Sequence, residues 1–105
     1  MEQQGYDVSY ISNMDTHNHG SRLKLAKGFI SVGHDEFWTL EMYDNVRAAR
    51  DAGVNLAFLS GNTMLKVVPL LPSVEGQPDR IIHLDGYFVG KQYATRSGTG
   101  YQMGP

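Results

Sequence analysis

The sequence predicts an α/β protein built on a parallel sheet, and three observations carry that reading. The short apolar run Phe29-Ile30-Ser31-Val32 is followed by an amphipathic segment over 39–53 and then by a second apolar run over 54–59. The joints are short, as in strand–helix–strand units whose strands lie parallel. The third observation is Gly33-His34-Asp35-Glu36, which sets three ionisable side chains where the first run ends. Open α/β sheets bind ligands at such strand-to-helix mouths.

Each element has its own signals. Residues 1–4 read as the tail of a helix stopped by Gly5. Residues 6–11 alternate and carry β-formers, which predicts a strand. Residues 12–20 form a polar loop containing His17 and His19, and 21–27 hold a helical turn with Leu23, Leu25 and Ala26. Phe29 to Val32 is an apolar run of the kind buried in parallel sheets. Thr39 is a helix cap with Glu41 in the first turn, Arg47 and Arg50 near the carbonyl end, and Gly53 to end the helix. Leu40, Tyr43 and Val46 mark its apolar face, with Met42 and Ala49 beside it.

Residues 54–59 give a second core strand, closed by Ser60-Gly61-Asn62. Residues 63–68 then start another helix, which Pro69 ends. Past Leu70 the pattern weakens. Pro72, Gly76 and Pro78 mark a loop, 80–84 and 87–89 two short strands around Asp85-Gly86, and 97–100 a turn or disordered tail. The chain thus divides into an α/β part, 1–70, and an extension, 71–105.

Bulk properties narrow the function. The 105 residues suit one small domain, and 41% hydrophobic with 19% charged residues is an ordinary globular composition. Net charge is −2 and the basic residues are scattered, which argues against nucleic acid or an anionic membrane surface as partner. No apolar stretch approaches the roughly 20 residues of a membrane span, and the first residues lack the features of a signal peptide. There is no cysteine, so thiol catalysis and thiolate ligation are excluded, and a cytoplasmic location is expected.

At the charged mouth, His34 and Glu36 stand at i and i+2, so in extended backbone they share a side. They can share a metal or a proton. With parallel strands ending on one edge, Ser60 and Asn62 would be their neighbours across a crevice, together with Asp35 and Trp38. Each residue also has a plainer reading. Asp35 or Glu36 can bond the N–H groups of the following helix, Trp38 can be a packing residue, Asn62 a helix cap and Ser60 a turn residue. The wording Leu59-Ser60-Gly61-Asn62 is not that of a nucleophile elbow.

The topology also predicts a gap. A doubly wound sheet of the flavodoxin order has its first strand in the middle. If 6–11 is the second strand, the central first strand is missing and the sheet is incomplete, leaving backbone groups unpaired. The chain is therefore expected to be a fragment, completed by the remainder of a longer polypeptide, a partner subunit or a strand-swapped homo-oligomer.

Gly33-His34-Asp35-Glu36-Phe37-Trp38-Thr39, with Asp44-Asn45-Val46, the run from Ala48 to Phe58 and Ser60-Gly61-Asn62, resembles the large (beta) subunit of N,N-dimethylformamidase and its relatives. Gly5-Tyr6-Asp7-Val8-x-Tyr10 resembles the strand that precedes this wording. The resemblance runs over 3–68 and loosens beyond Leu70. It implies a class I glutamine-amidotransferase-like α/β domain belonging to a much longer polypeptide. It also implies a mononuclear ferric ion held by two tyrosinates and one glutamate, with a histidine assisting.

Carried over by motif, Glu36 would be the iron ligand and His34 the assisting, catalytic residue. The tyrosine ligands of the family belong to an upstream segment, and Tyr6 and Tyr10 match strand wording instead. Phe37 stands where the family usually has Tyr, which removes a hydroxyl. The implied chemistry is hydrolysis of a small amide, with the ferric ion polarising the carbonyl and acidifying water and His34 relaying a proton. The chain alone is expected to be inactive.

Two other readings compete. Asp15-Thr16-His17-Asn18-His19-Gly20 has the Asp-x-His-x-His-Gly wording of metal-dependent amidohydrolases. Those enzymes need a barrel of about 250 residues, so a solvated loop at the same sheet edge is the better reading, with His17 and His19 as candidates to face the crevice. The second is a non-catalytic amidotransferase-like binding or scaffold domain.

Overall fold

The computed structural model describes residues 1–88, and these form a mixed α/β structure with three small sheets. The organising unit is a parallel pair. Strand β1 (Gly28–Gly33) and strand β3 (Asn55–Ser60) run in register from Gly28 opposite Asn55 to Gly33 opposite Ser60. Helix α2 (Leu40–Asp51) connects them by way of a short strand, β2 (Phe37–Trp38). The strand–helix–strand order read from the sequence is therefore present.

Helix α2 begins and ends where its chemistry dictates. The Thr39 hydroxyl accepts from the Met42 N–H, and Gly53 takes φ 100°, the left-handed turn that closes a helix end. The buried stripe is Met42, Val46 and Ala49, with Leu40 and Tyr43 only partly covered. The face is thus rotated toward Met42 from the Leu40–Tyr43–Val46 line expected. It packs with Leu23, Trp38, Val54, Met64, Val67 and Phe88 into one core.

Alternation along the parallel pair divides its two faces. Ser31 is buried and Phe29, Leu56 and Phe58 are half-buried on the core side. On the other side Ile30 is 40% exposed, Val32 64% and Leu59 69%. Parallel sheets are normally covered on both faces. Among the described residues only one face is.

Five segments depart from expectation. Residues 6–11 are irregular, with Tyr6 and Tyr10 largely exposed, because a strand requires a ladder and no described strand pairs with them. With no strand at 6–11, the described residues do not mark the place of a missing central strand. Residues 12–20 contain a helix, α1 (Asn13–Asn18), started by a full capping box between Ser12 and Asp15. The helical turn expected over 21–27 is a 3-10 segment, Gly20–Leu25, that buries Leu23 and leaves Leu25 exposed.

The helix expected over 63–68 is replaced by a turn and strand β4 (Lys66–Val67). Asn62 and Met64 take φ 50° and 53°, left-handed values that a right-handed helix cannot absorb. β4 instead pairs parallel with β2 and antiparallel with β7 (Gly86–Tyr87). There the Lys66 ammonium lies 3.7 Å from the centre of the Tyr87 ring.

The expected strand pair around Asp85-Gly86 is split between two sheets. β6 (Ile81–Ile82) pairs with β5 (Leu70–Leu71), while β7 belongs to the β2–β4 sheet. Phe88 follows it, fully buried and stacked on Tyr43 with ring centres 5.4 Å apart. Val89 and the turn expected at 97–100 lie outside the described residues. No described helix is long and apolar enough to cross a membrane.

Helix α1 is held to α2 by Asn45, whose amide donates to the carbonyls of Thr16 (2.8 Å) and His17 (3.2 Å). A Cβ added at Gly20 would run into the Asn45 side chain. Gly20→Ala should therefore destabilise the fold by about 1–3 kcal/mol, as overpacking does. Asn45→Ala should cost about 1–2 kcal/mol through its two hydrogen bonds. The double variant should lose less than the sum, because Asn45→Ala removes two of the three atoms nearest the new methyl. Denaturant unfolding of the four proteins checks this.

The capping box gives a pH dependence. The Asp15 carboxyl is held below its ordinary 3.8, first by the Ser12 hydroxyl and then by the Ser12 backbone. A depressed folded-state pKa contributes stability that is present above the unfolded value and lost as pH falls through the folded one. Helix α1 should loosen reversibly below about pH 3.8, and Asp15→Asn should remove that dependence. Backbone amide shifts of 13–18 across an acid titration test it.

Candidate functional site

The loops that follow β1 and β3 meet because the strands are parallel and in register. Gly33 ends β1 at φ 81°, a left-handed turn, and its carbonyl accepts from the Gly61 N–H at 3.0 Å. The next residues are laced to the chain after β3. Asp35 N–H donates to Ser60 Oγ (2.8 Å), Met64 N–H to the Asp35 carbonyl (3.0 Å), and Lys66 N–H to the Glu36 carbonyl (3.0 Å).

On this frame His34 and Glu36 converge, with Nε2 3.8 Å from Oε2. The imidazole is 63% exposed and the carboxylate only 19%. Asn62 Nδ2 lies 3.1 Å from the same Nε2. With the amide donating, Nε2 accepts and the ring proton sits on Nδ1, a tautomer assigned from the hydrogen-bond geometry. Of the residues singled out in the sequence, His34, Glu36 and Asn62 thus come together at the strand ends.

The other sequence candidates take different places. Asp35 faces away from His34 and Glu36, its carboxylate accepting from Ser31 Oγ (2.8 Å) and Asn13 Nδ2 (3.0 Å). It does not cap α2, which Thr39 does. Ser60 Oγ accepts from the Asp35 N–H and donates to the Gly61 carbonyl. Trp38 is fully buried and lines no crevice; its Nε1 has no hydrogen-bond partner among the described residues. That orphan donor costs about 1–3 kcal/mol, offset by the apolar area of the ring. Asn62 is not a helix cap, because no helix follows it.

His17 turns to the start of α2, with Nδ1 2.8 Å from Thr39 Oγ1 and 3.7 Å from Glu41 Oε2. His19 is exposed at the end of α1. The pair therefore does not converge as the Asp-x-His-x-His-Gly wording would require. Tyr10 is exposed, and its phenol is raised first by a hydrogen bond with Glu2 and then by burial. Among the described residues, no group of three or more His, Asp or Glu side chains is placed to hold a metal ion.

Residues 1–100 match the family described as N,N-dimethylformamidase beta subunit-like, C-terminal. The chain belongs to that family. No curated protein and no solved structure matches it. The family match carries on well past Leu70, where the motif wording of the sequence fades.

Three features of the site escaped the sequence reading. Ser31 looks like an interruption of an apolar run, and Asn13 like loop filler. Gly61 was read as part of a turn. A Cβ there would stand 3.2 Å from both Cε1 and Nδ1 of His34. Only Asn13 had an available signal, the Ser12-x-x-Asp15 capping pattern that starts its helix.

Gly61→Ala should therefore displace the His34 ring from Asn62. Its backbone needs no left-handed φ and the site is exposed, so stability should change by no more than about 0.5 kcal/mol. Imidazole nitrogen shifts read the displacement, and thermal unfolding reads the stability.

Proposed function

We propose that this chain supplies part of an amide-hydrolysing centre of the N,N-dimethylformamidase type. Glu36 acts as a ligand of a mononuclear ferric ion, and His34 assists hydrolysis of a small amide. The observation that carries this is the convergence of Glu36 and His34, 3.8 Å apart, in a member of that family. A sheltered carboxylate oxygen is a donor type suited to a hard ferric ion. The donor number is not complete among the described residues, so the remaining ligands come from elsewhere in the protein or from a partner subunit. A chain in that position is inactive alone.

When bound, the ion supplies Lewis-acid polarisation of the amide carbonyl. The chain's own residues do the rest. Glu36 is fixed through its carbonyl to Lys66 and keeps its carboxylate against the imidazole. His34, exposed on the outer side, can take a proton at Nε2 from an attacking water and give it to the departing amine. In the neutral ring Asn62 donates to that nitrogen, and its amide would turn its oxygen to accept once the nitrogen is protonated. The β1–α2–β3 unit supports reading the domain as part of a flavodoxin-like, glutamine-amidotransferase-like sheet.

In the intact assembled protein, Glu36→Ala should lose iron and N,N-dimethylformamide hydrolysis together. His34→Ala should keep the iron and slow hydrolysis by about 10²–10⁴-fold. Elemental analysis and an assay of released dimethylamine check both. Iron retained in Glu36→Ala would end the ligand assignment, and hydrolysis retained as well would favour the binding or scaffold reading.

A further inference from the structure

Asp35 stands between the two residues of the proposed pair, and each of its polar atoms is engaged elsewhere. Oδ2 accepts from Ser31 Oγ on β1, and Oδ1 from Asn13 Nδ2 on α1. Its N–H donates to Ser60 at the end of β3, and its carbonyl accepts from the Met64 N–H in the turn beyond. Ser31 is 3% exposed, a hydroxyl placed inside an otherwise apolar strand. We propose that Asp35 is the positioning residue of the site, clasping β1, α1 and the β3–β4 turn so that His34 and Glu36 keep their spacing. The proposal rests on the Glu36–His34 reading for its functional meaning.

The geometry explains why one residue can do this. In extended backbone the side chain at 35 points opposite to those at 34 and 36. Anchoring it inward therefore presents its neighbours outward as a pair. Hydrogen bonds to an ionised carboxylate are stronger than neutral ones, and these come from segments 4 and 22 residues away in the chain. His34 and Glu36 have no comparable anchors for their own side chains. Among the described residues, the His34 ring has Asn62 as its hydrogen-bond partner, and the Glu36 carboxylate lies 3.8 Å from that ring without a hydrogen bond to it. Asp35 does not touch substrate in this arrangement, because both its oxygens are turned to Ser31 and Asn13.

The test compares Asp35→Ala with Asp35→Asn. The asparagine keeps the shape and one acceptor, and the Ser31 hydroxyl can rotate to accept from the new amide. Two readouts are used: nuclear Overhauser contacts between the His34 ring and the Glu36 side chain in the full chain, and kcat and KM for N,N-dimethylformamide in the intact protein.

Asp35→Ala should lose the contacts and lower kcat about ten- to a hundredfold with a smaller change in KM, as expected for a misplaced group. Asp35→Asn should restore most of both. Contacts and kcat unchanged in Asp35→Ala would overturn the proposal. So would an Asp35→Asn protein that keeps the contacts yet is as slow as Asp35→Ala, since the charge would then act in the chemistry. If the unaltered protein hydrolyses no dimethylformamide, the functional reading fails, and the contacts still decide the role of Asp35. If Asp35→Ala does not fold, Ser31→Ala removes a single tether. It should weaken the contacts and lower kcat in part, and no change in either would overturn the proposal.

Discussion

The in-register parallel pairing of β1 with β3 is the constraint on which the site depends. It sets Gly33 opposite Ser60, so the two chains leave the sheet side by side in the same direction. The candidate site follows within a few residues of that point. A shift of one residue in register would reverse the alternation, send Phe29 and Ser31 outward, and part Asp35 from both its strand anchor and Ser60. Helix α2 helps to prevent that slip, because its buried stripe packs only on the face that carries Phe29, Leu56 and Phe58.

The elements that were legible are those whose signals are local and agree with their packing. A cap at Thr39, a glycine at 53 and two apolar runs of strand length located α2 and the parallel pair before any coordinates. From parallel strands it followed that the residues after β1 and β3 are neighbours; His34, Glu36 and Asn62 meet there, while Ser60 bonds the Asp35 N–H instead. What failed was settled by partners far away in the chain. Residues 6–11 have strand composition but no ladder. Residues 63–68 have helical composition, yet two left-handed residues deliver them to an edge offered by Phe37 and Trp38. Helix α1 differs, since its capping box is written in Ser12 and Asp15 while the polarity of the segment masks it.

The division of labour at 34–36 also shows how little space separates structure from chemistry. The inward residue has every hydrogen-bonding atom engaged, and the outward two are lightly held. A site of this form can be tuned by changes at Gly61 or Ser31 that touch neither outward residue directly. The uncovered apolar face of the parallel pair lies on the opposite side from α2, so whatever packs there would bear on the strands that aim the site.

Trp38 is the single tryptophan of the chain, wholly buried, two residues from Glu36 and paired with Val67 of β4. Its indole is therefore an optical sensor placed by the fold itself. Emission at short wavelength and shielding from aqueous quenchers mark the state in which the 34–38 segment is seated. A shift to longer wavelength marks its release from the core it shares with α2.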